Sequence, residues 1–334
     1  MASSKTALVL GATGGIGGEV ARQLRQAGWN VRALRRGAPK DLQQRDGIGW
    51  IGGDAMNRDD VVSAADGCAV IVHAVNPPGY RRWGELVLPM IDNTIAAAER
   101  HNATIVLPGT VYNYGPDAFP LVREDSPQNP LTRKGAIRVE LERRLQAAAR
   151  RGARVIVVRA GDFFGPKLGN SWFSQGMVKP GQPVSVVSLP GEHGVGHEWS
   201  YLPDVARAMV ELLDRRDALP AFAAFHLAGH WDADGMQMAE AIRRVVIRHG
   251  GKEPIFKSFP WWLVRLASPF VATLRELLEM RYLWREELRM ENRRLIEVLG
   301  REPHTPLDEA VEATLTGMGN LSGRSLAQVY QTLR

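Results

Sequence analysis

Three glycines near the start of the chain carry its first chemical signal. Gly11, Gly14 and Gly17 stand at G-x-x-G-x-x-G spacing within KTALVLGATGGIGG, directly after the apolar run Ala7, Leu8, Val9 and Leu10. A buried strand, a glycine turn and a helix N-terminus in that order make a diphosphate-binding site. Backbone N–H groups approach the phosphate oxygens where a Cβ would block them, and the helix dipole adds favourable partial positive charge. Thr13, Gly15 and Ile16 belong to the same candidate cradle, and the apolar stripe Ile16, Val20, Ala21 and Leu24 marks the helix that follows.

A second signal lies at the end of VRALRRG. An acidic residue at this strand tip would bond a ribose 2′-hydroxyl and repel a 2′-phosphate. The chain has Arg35 and Arg36 instead. Guanidinium groups pair well with phosphate, so the expected cofactor is NADP. Further along, Tyr112 and Tyr114 are proton-donor candidates near the carboxyl edge of a sheet; Thr110, Tyr112 and Tyr114 share one side if the strand stays extended.

These residues need a scaffold, and the first half of the chain alternates in a way that supplies one. Strands are expected at Thr6–Gly11, Asn30–Leu34, Gly47–Ile51, Ala69–Val75, Ala103–Leu107 and Arg154–Arg159, with helices at Ile16–Ala27, Asp59–Ala65, Trp83–His101 and Thr132–Arg151. Near-continuous apolar strands separated by helices indicate an α/β doubly wound parallel sheet of the Rossmann type. After Gly161 the pattern becomes irregular. Pro183–Val187 and Phe222–Leu227 read as strands, Pro203–Arg215, Met236–Gly250 and Pro306–Met318 as helices, and Leu263–Leu299 as a long helical stretch broken near Pro269 and again near Glu279. The expected division is a dinucleotide-binding domain over 1–165, then a smaller, interwoven C-terminal substrate lobe over 166–334 with segments returning to the sheet.

Composition narrows the class. The 334 residues are 45% hydrophobic and 23% charged, enough for a full core. One cysteine, Cys68, excludes an internal disulfide and reads as a packed thiol. The net charge of +6 is spread along helices among glutamates, as in LWREELRMENRRL, so neither nucleic acid nor membrane is expected as a partner. The most hydrophobic late stretch, Phe259 to Leu274, contains Arg265 and Pro269 and is too short to span a bilayer; a cytoplasmic location is the expectation. His193 and His197 lack a third ligand at recognisable spacing, so no metal is expected.

GATGGIG, VRALRR, GGDAMN, VIVHAVN, RAGDFFGP and HEWSYLPDVA together resemble the short-chain dehydrogenase/reductase superfamily, in its extended and atypical branches. These branches include NAD-dependent epimerases and dehydratases, dihydroflavonol-type reductases and isoflavone-reductase-like proteins. The resemblance implies that Asp54 and Ala55 flank the adenine and that Ala74, Val75 and Asn76 line the ribose and nicotinamide side. Asp54 also reads as a helix cap. Asn93 matches an asparagine of extended members, with a surface or capping role as the alternative. Phe163 and Phe164 lie in a segment similar to the one beneath the nicotinamide, where either packs on cofactor or fills the core. Thr110 falls where the family places its catalytic Ser or Thr, and also reads as a strand-end cap.

The family's Tyr-x-x-x-Lys is missing: none of the six tyrosines has a lysine four residues on. One alignment of PQNPLTRKGAIRVELE puts Thr132 and Ala136 at the two positions. Another, to isoflavone-reductase-like proteins, makes Lys134 the residue that holds the nicotinamide ribose and relays a proton. The resemblance thus implies an NADPH-dependent oxidoreductase that reduces a carbonyl or conjugated double bond of a small organic substrate. Thr110 orients the substrate oxygen, and Lys134 or Tyr112 assists proton transfer. Trp172, Trp199, Trp231, Trp261 and Trp262 suggest an apolar or ring-bearing substrate. Two alternatives stay open: a non-catalytic NADP-sensing regulator similar to NmrA-like proteins, and a nucleotide-sugar epimerase or dehydratase. Related proteins dimerise through helices matching Trp83–His101 and Thr132–Arg151, so the resemblance allows a homodimer.

Overall fold

All five residues of β1 (Thr6–Leu10) are buried. Successive side chains of a strand point to opposite sides, so Ala7 and Val9 enter one core and Leu8 and Leu10 another. Such a strand needs helices on both faces. The structure, a computed structural model describing residues 5–77, 82–167 and 171–321, supplies them.

The chain runs through α1 (Gly15–Gln26), β2 (Asn30–Arg35), the hairpin β3 (Gln43–Arg45) and β4 (Ile48–Gly52), α2 (Arg58–Ala64), β5 (Val70–His73), α3 (Trp83–His101) and β6 (Thr104–Thr110). It continues through β7 (Leu121–Val122), α4 (Arg133–Arg150), β8 (Arg154–Ala160), β9 (Asp162–Phe164), β10 (Val186–Leu189), β11 (His197–Tyr201), α5 (Leu202–Asp214) and β12 (Phe222–His226). The eight-stranded sheet has the order β12-β8-β6-β5-β1-β2-β4-β3. Every pairing in it is parallel except the β3–β4 hairpin. The chain leaves β1 in one direction, then returns to build outward from β5. The strand order therefore reverses between β1 and β5, where open α/β folds bind ligands at their carboxyl ends.

Helices α1 and α5 bury their apolar faces with Ala7 and Val9, whereas α2, α3 and α4 share the core of Leu8 and Leu10. The expected doubly wound sheet is present, and β12 is a late segment returning to its edge. Cys68 is buried in the second core. Several strands run past their expected ends, among them β2, which reaches Arg35, and β6, which reaches Thr110, where Thr110 still pairs with Ala160 of β8. The exposed polar strand β3 carries no apolar alternation, which is why its sequence gives no strand signal.

The remaining elements are β13 (His230–Asp232), α6 (Gln237–Arg248), β14 (Ile255–Ser258), α7 (Trp261–Ala267), α8 (Ala272–Glu279), β15 (Arg289–Met290), α9 (Arg293–Leu299) and α10 (Leu307–Gly317). Apart from α9, whose Leu295 packs into the core of Ala7 and Val9, they belong to a lobe with β9, β10 and β11 around Phe164, Phe173, Trp199 and Tyr201. The stretch 263–299 is helical in three pieces, broken after Ala267 and after Glu279 as expected, and the second break lasts until α9. A 3₁₀ turn at Arg281–Trp284 leads into β15, which pairs with β7, while Met290 N donates to buried Glu198 at 2.6 Å. Tertiary pairing overrides helical propensity there. Among the described residues, no helix is long and apolar enough to cross a membrane.

One buried polar network ties the layers together under the carboxyl edge. The Arg159 guanidinium, at the end of β8, donates Nη2 to Glu142 of α4 at 2.6 Å and Nη1 to the Tyr114 hydroxyl at 2.6 Å. Tyr114 also meets His226 Nε2 at 2.7 Å, and Asn113 donates to Glu142 at 2.9 Å. Burial, then the Arg159 charge, holds His226 well below its ordinary pKa, so it is neutral. Removing one partner of such a pair leaves an uncompensated buried charge. Arg159→Met is therefore expected to cost roughly 3–5 kcal/mol of unfolding free energy in a denaturant titration. A loss within the error of the titration would mean that the pair does not hold the layers together.

Candidate active site

Two cavities open along the carboxyl edge of the sheet. The larger, about 670 Å3, is the crevice at the β1–β5 switch point. Gly11, Thr13, Gly14, Gly15 and Ile16 form one wall, Arg35, Arg36, Asp54 and Ala55 another, and Ala74, Val75 and Asn76 a third. Twelve of the fourteen residues expected to hold cofactor thus meet in one place.

The glycines divide the work. Gly11 has φ +89°, and a Cβ there would lie 2.5 Å from the Ala74 carbonyl oxygen, so the turn presses against the chain leaving β5. At Gly17 a Cβ would lie 2.3 Å from the Gly11 carbonyl oxygen. This glycine therefore packs the helix onto the turn and does not line the crevice. Gly14 is the N-cap of α1 and offers no side-chain cap, which leaves the first N–H groups of the helix for an anion. Bare N–H groups and a backbone approach that a Cβ would close fit the diphosphate of a dinucleotide.

At the tip of β2, Arg35 and Arg36 are exposed and make no ion pair among the described residues; the Arg35 guanidinium stands 6.0 Å from the Trp50 ring centre. Asp54 does not cap α2 as one reading expected. Asn57 does, accepting from Asp59 N and Asp60 N, because it directly precedes the first helical turn. Asp54 Oδ1 accepts instead from Met56 N at 3.0 Å. Asn93 Nδ2 donates to the Ala55 carbonyl at 2.9 Å, pinning this wall to α3. Below Ala74, buried His73 Nδ1 lies 2.7 Å from Thr94 Oγ1; burial, helped by the Arg138 charge, lowers its pKa to about 3 and keeps it neutral.

The smaller cavity, about 120 Å3, lies by the end of β6, the strand beside β5. Thr110, Tyr112, Asp162, Phe163, Trp172 and Phe259 are among its lining residues. Phe163 therefore walls this compartment and not the dinucleotide crevice, while its neighbour Phe164 is core. Extension stops at Thr110, whose Oγ1 accepts from Tyr112 N at 3.3 Å as the cap of a 3₁₀ turn over Val111–Asn113. Thr110 is thus both cap and cavity wall. The turn separates the two tyrosines: Tyr112 faces the cavity, and Tyr114 is fully buried in the Arg159 network.

Lys134 lines neither cavity. It is buried at the start of α4, with Nζ 2.7 Å from Glu276 and 3.2 Å from Glu279 of α8 and donating to the Glu276 carbonyl at 2.9 Å. Thr132 caps that helix by accepting from Gly135 N, and Ala136 lies just beyond. Neither alignment of this stretch therefore brings a proton-carrying side chain to the cavity.

An unforeseen pair stands at the cavity wall instead, Asp162 lining the cavity and His197 holding it from behind. His197 Nε2 lies 3.0 Å from Asp162 Oδ2, and its Nδ1 lies 3.1 Å from the Leu283 carbonyl oxygen. A carbonyl only accepts, so Nδ1 carries a hydrogen. The contact at Nε2 then needs a further proton, on imidazolium or on carboxylic acid. The imidazole also stacks on Trp284 at 3.7 Å between ring centres, which fixes the plane of the ring. Behind it the buried Tyr282 hydroxyl is pushed above its ordinary pKa, first by burial and then by the Asp162 and Glu279 charges. Asp162 and His197 are 35 residues apart and meet through the β9–β11 pairing, so their spacing in the chain gives no hint of it.

Fold and crevice define a Rossmann-type dinucleotide-binding fold with an appended lobe. The model of the NAD dependent epimerase/dehydratase family matches residues 7–228, and the chain belongs to that family. No curated protein matches. Among solved structures, MoeE5 in complex with UDP-glucose and NAD is 19% identical, with a TM-score of 0.69 over 98% of this chain and 100% of that one. A putative epimerase from Burkholderia cenocepacia is 19% identical, with a TM-score of 0.71 over 95% and 98%. The UDP-glucuronic acid 4-epimerase from Bacillus cereus, in complex with UDP-glucuronic acid and NAD, is 16% identical, with a TM-score of 0.69 over 94% and 98%. At these identities the likeness is one of fold.

If Lys134 tethers α8 to α4, Lys134→Met strands two carboxylates, so the melting temperature is expected to fall by several degrees with dinucleotide affinity unchanged. Lost affinity in a variant of unchanged melting temperature would return Lys134 to the cofactor.

Proposed function

We propose that the protein is an NADP(H)-dependent oxidoreductase acting on a carbonyl or conjugated double bond of a small apolar or ring-bearing molecule. One observation carries this reading: a phosphate cradle with two unpaired arginines at its adenosine end lies on the strand edge beside a small, aromatic-walled compartment. When bound, the nicotinamide supplies the hydride donor or acceptor. Trp172, Phe163 and Phe259 exclude water and pack the apolar part of the substrate. Thr110 and Tyr112 offer hydroxyls to its oxygen. The Asp162–His197 pair holds the proton that the family's tyrosine would otherwise give, and proton transfer by a positioned side chain contributes roughly 10²–10⁴-fold in rate.

Two charge-assisted bonds to a 2′-phosphate are each worth roughly 1.5–3 kcal/mol. Arg35→Ala with Arg36→Ala is thus expected to weaken NADPH binding at least about tenfold in fluorescence titration and to leave NADH binding nearly unchanged. Equal losses for both would remove the 2′-phosphate role.

Wild-type enzyme screened against apolar aldehydes, ketones and enones is expected to oxidise NADPH. Asp162→Asn, which keeps the shape but not the proton, is expected to cut turnover by roughly 10²–10⁴-fold while NADPH still binds. Undiminished turnover in that variant would contradict the assignment of the proton donor.

A second reading, a nucleotide-sugar epimerase or dehydratase using NAD, is favoured by family membership and by the full-length likeness to UDP-sugar enzymes. An epimerase returns its hydride and consumes no net NADPH. Conversion of UDP-glucose or UDP-glucuronic acid without added reductant, followed by NMR, would establish it.

A further inference from the structure

Outside the two cavities, one row of apolar side chains stands on the surface. Trp262, Leu266 and Phe270 recur every four residues, through α7 and the turn after it, where Val271 N donates to the Ala267 carbonyl at 3.1 Å. Residues at i and i+4 share a helix face. Here that face points outward: Trp262 and Leu266 are each 68% exposed and Phe270 90%, with Leu263 and Val271 exposed beside them. The opposite face is anchored, Val264 being buried and Trp261 Nε1 donating to the Pro190 carbonyl at 2.8 Å. A contiguous exposed patch of this kind marks an interaction site.

Charge identifies the partner. From residue 254 to 275 there is no Asp or Glu, whereas Lys257, Arg265 and Arg275 are all exposed. An apolar row containing tryptophan and phenylalanine, with Lys257, Arg265 and Arg275 beside it in the chain, suits the boundary between acyl chains and anionic headgroups, where aromatic rings settle and Lys or Arg gain from the negative surface. The nearest carboxylates in the chain lie outside this stretch, at Glu253 and at Glu276, and Glu276 is held by Lys134. A lipid surface offers these cations anions around an apolar interior, which meets both features of the patch at once. We propose that α7 and the turn to Val271 dock in the plane of an anionic lipid bilayer, as an interfacial element and not a span.

The docked pose has a consequence for the substrate. Phe259 and Leu277, on either side of this segment, line the small cavity, and Trp172 in the cavity wall meets Trp261 of α7 at 5.7 Å between ring centres. The cavity wall thus adjoins the lipid-facing element, and the substrate class becomes apolar molecules dissolved in the bilayer. This assignment rests on the hydride-transfer reading, whereas docking does not.

The test is co-sedimentation of the full chain, without cofactor, with vesicles of equimolar phosphatidylcholine and phosphatidylglycerol and with vesicles of phosphatidylcholine alone. The wild type is expected to pellet with the anionic vesicles and much less with the neutral ones. Leu266→Asp with Phe270→Asp is expected to lower binding to the anionic vesicles at least about tenfold. Its melting temperature and NADPH affinity should stay those of the wild type, since both side chains are exposed. Wild type remaining in the supernatant, or a double variant that pellets equally, overturns the proposal. So does light scattering that shows a dimer dissociated by the same substitutions, which would assign the row to a second copy of the chain. Docking measured with no NADPH present, set beside turnover on soluble substrates, keeps failure here distinct from failure of the redox reading.

Discussion

The crevice depends on a backbone contact with no room for a side chain. The β1–α1 turn lies so close to the chain leaving β5 that a Cβ at Gly11 would stand 2.5 Å from the Ala74 carbonyl oxygen. Gly17 closes the same gap from the helix side. This approach places the bare start of α1 opposite Ala74, Val75 and Asn76, and so sets the width of the crevice. The sheet order does the rest: because β1 and β5 are neighbours across the reversal point, no strand fills the space above them.

The substrate side rests on a different interaction. Arg159 is the penultimate residue of β8, and its pairing with Glu142, Tyr114 and His226 locks α4, the turn after β6 and the edge strand β12 to one another. Three residues after Arg159 the same chain presents Asp162, and then Phe163, to the small cavity. A buried ion pair contributes little net stability against an apolar replacement, but its charge-assisted bonds constrain geometry. Here it fixes the direction in which β8 leaves the sheet. The lobe then holds Asp162 from the other side through His197, Trp284 and the Leu283 carbonyl.

Legibility in the sequence follows the range of the interactions. The parallel sheet and its helices were readable because apolar periodicity is local, and α3 is found over the residues expected for it. The crevice residues are readable because a turn, a helix start and a strand tip are short motifs, and all but Gly17 and Phe163 of those expected there line it. The polar residues in and around the smaller cavity are not. Thr110 and Tyr112 reach the cavity, yet Tyr114 is carried into the core by a 3₁₀ turn that strand alternation does not foresee. Lys134 is claimed by Glu276 and Glu279, about 140 positions away in the chain. The Asp162–His197 contact arises only when β9 and β11 pair, and the exposure of Trp262, Leu266 and Phe270 only when the lobe leaves that face uncovered.

A crystal structure of the protein with bound NADP+ tests the central claim most directly. The account predicts the diphosphate on the N–H groups of Gly15 and Ile16, the 2′-phosphate between Arg35 and Arg36, and the nicotinamide C4 facing the compartment of Thr110, Tyr112 and Asp162. A dinucleotide whose nicotinamide faces away from that compartment, or whose 2′-phosphate lies free of both arginines, would contradict it.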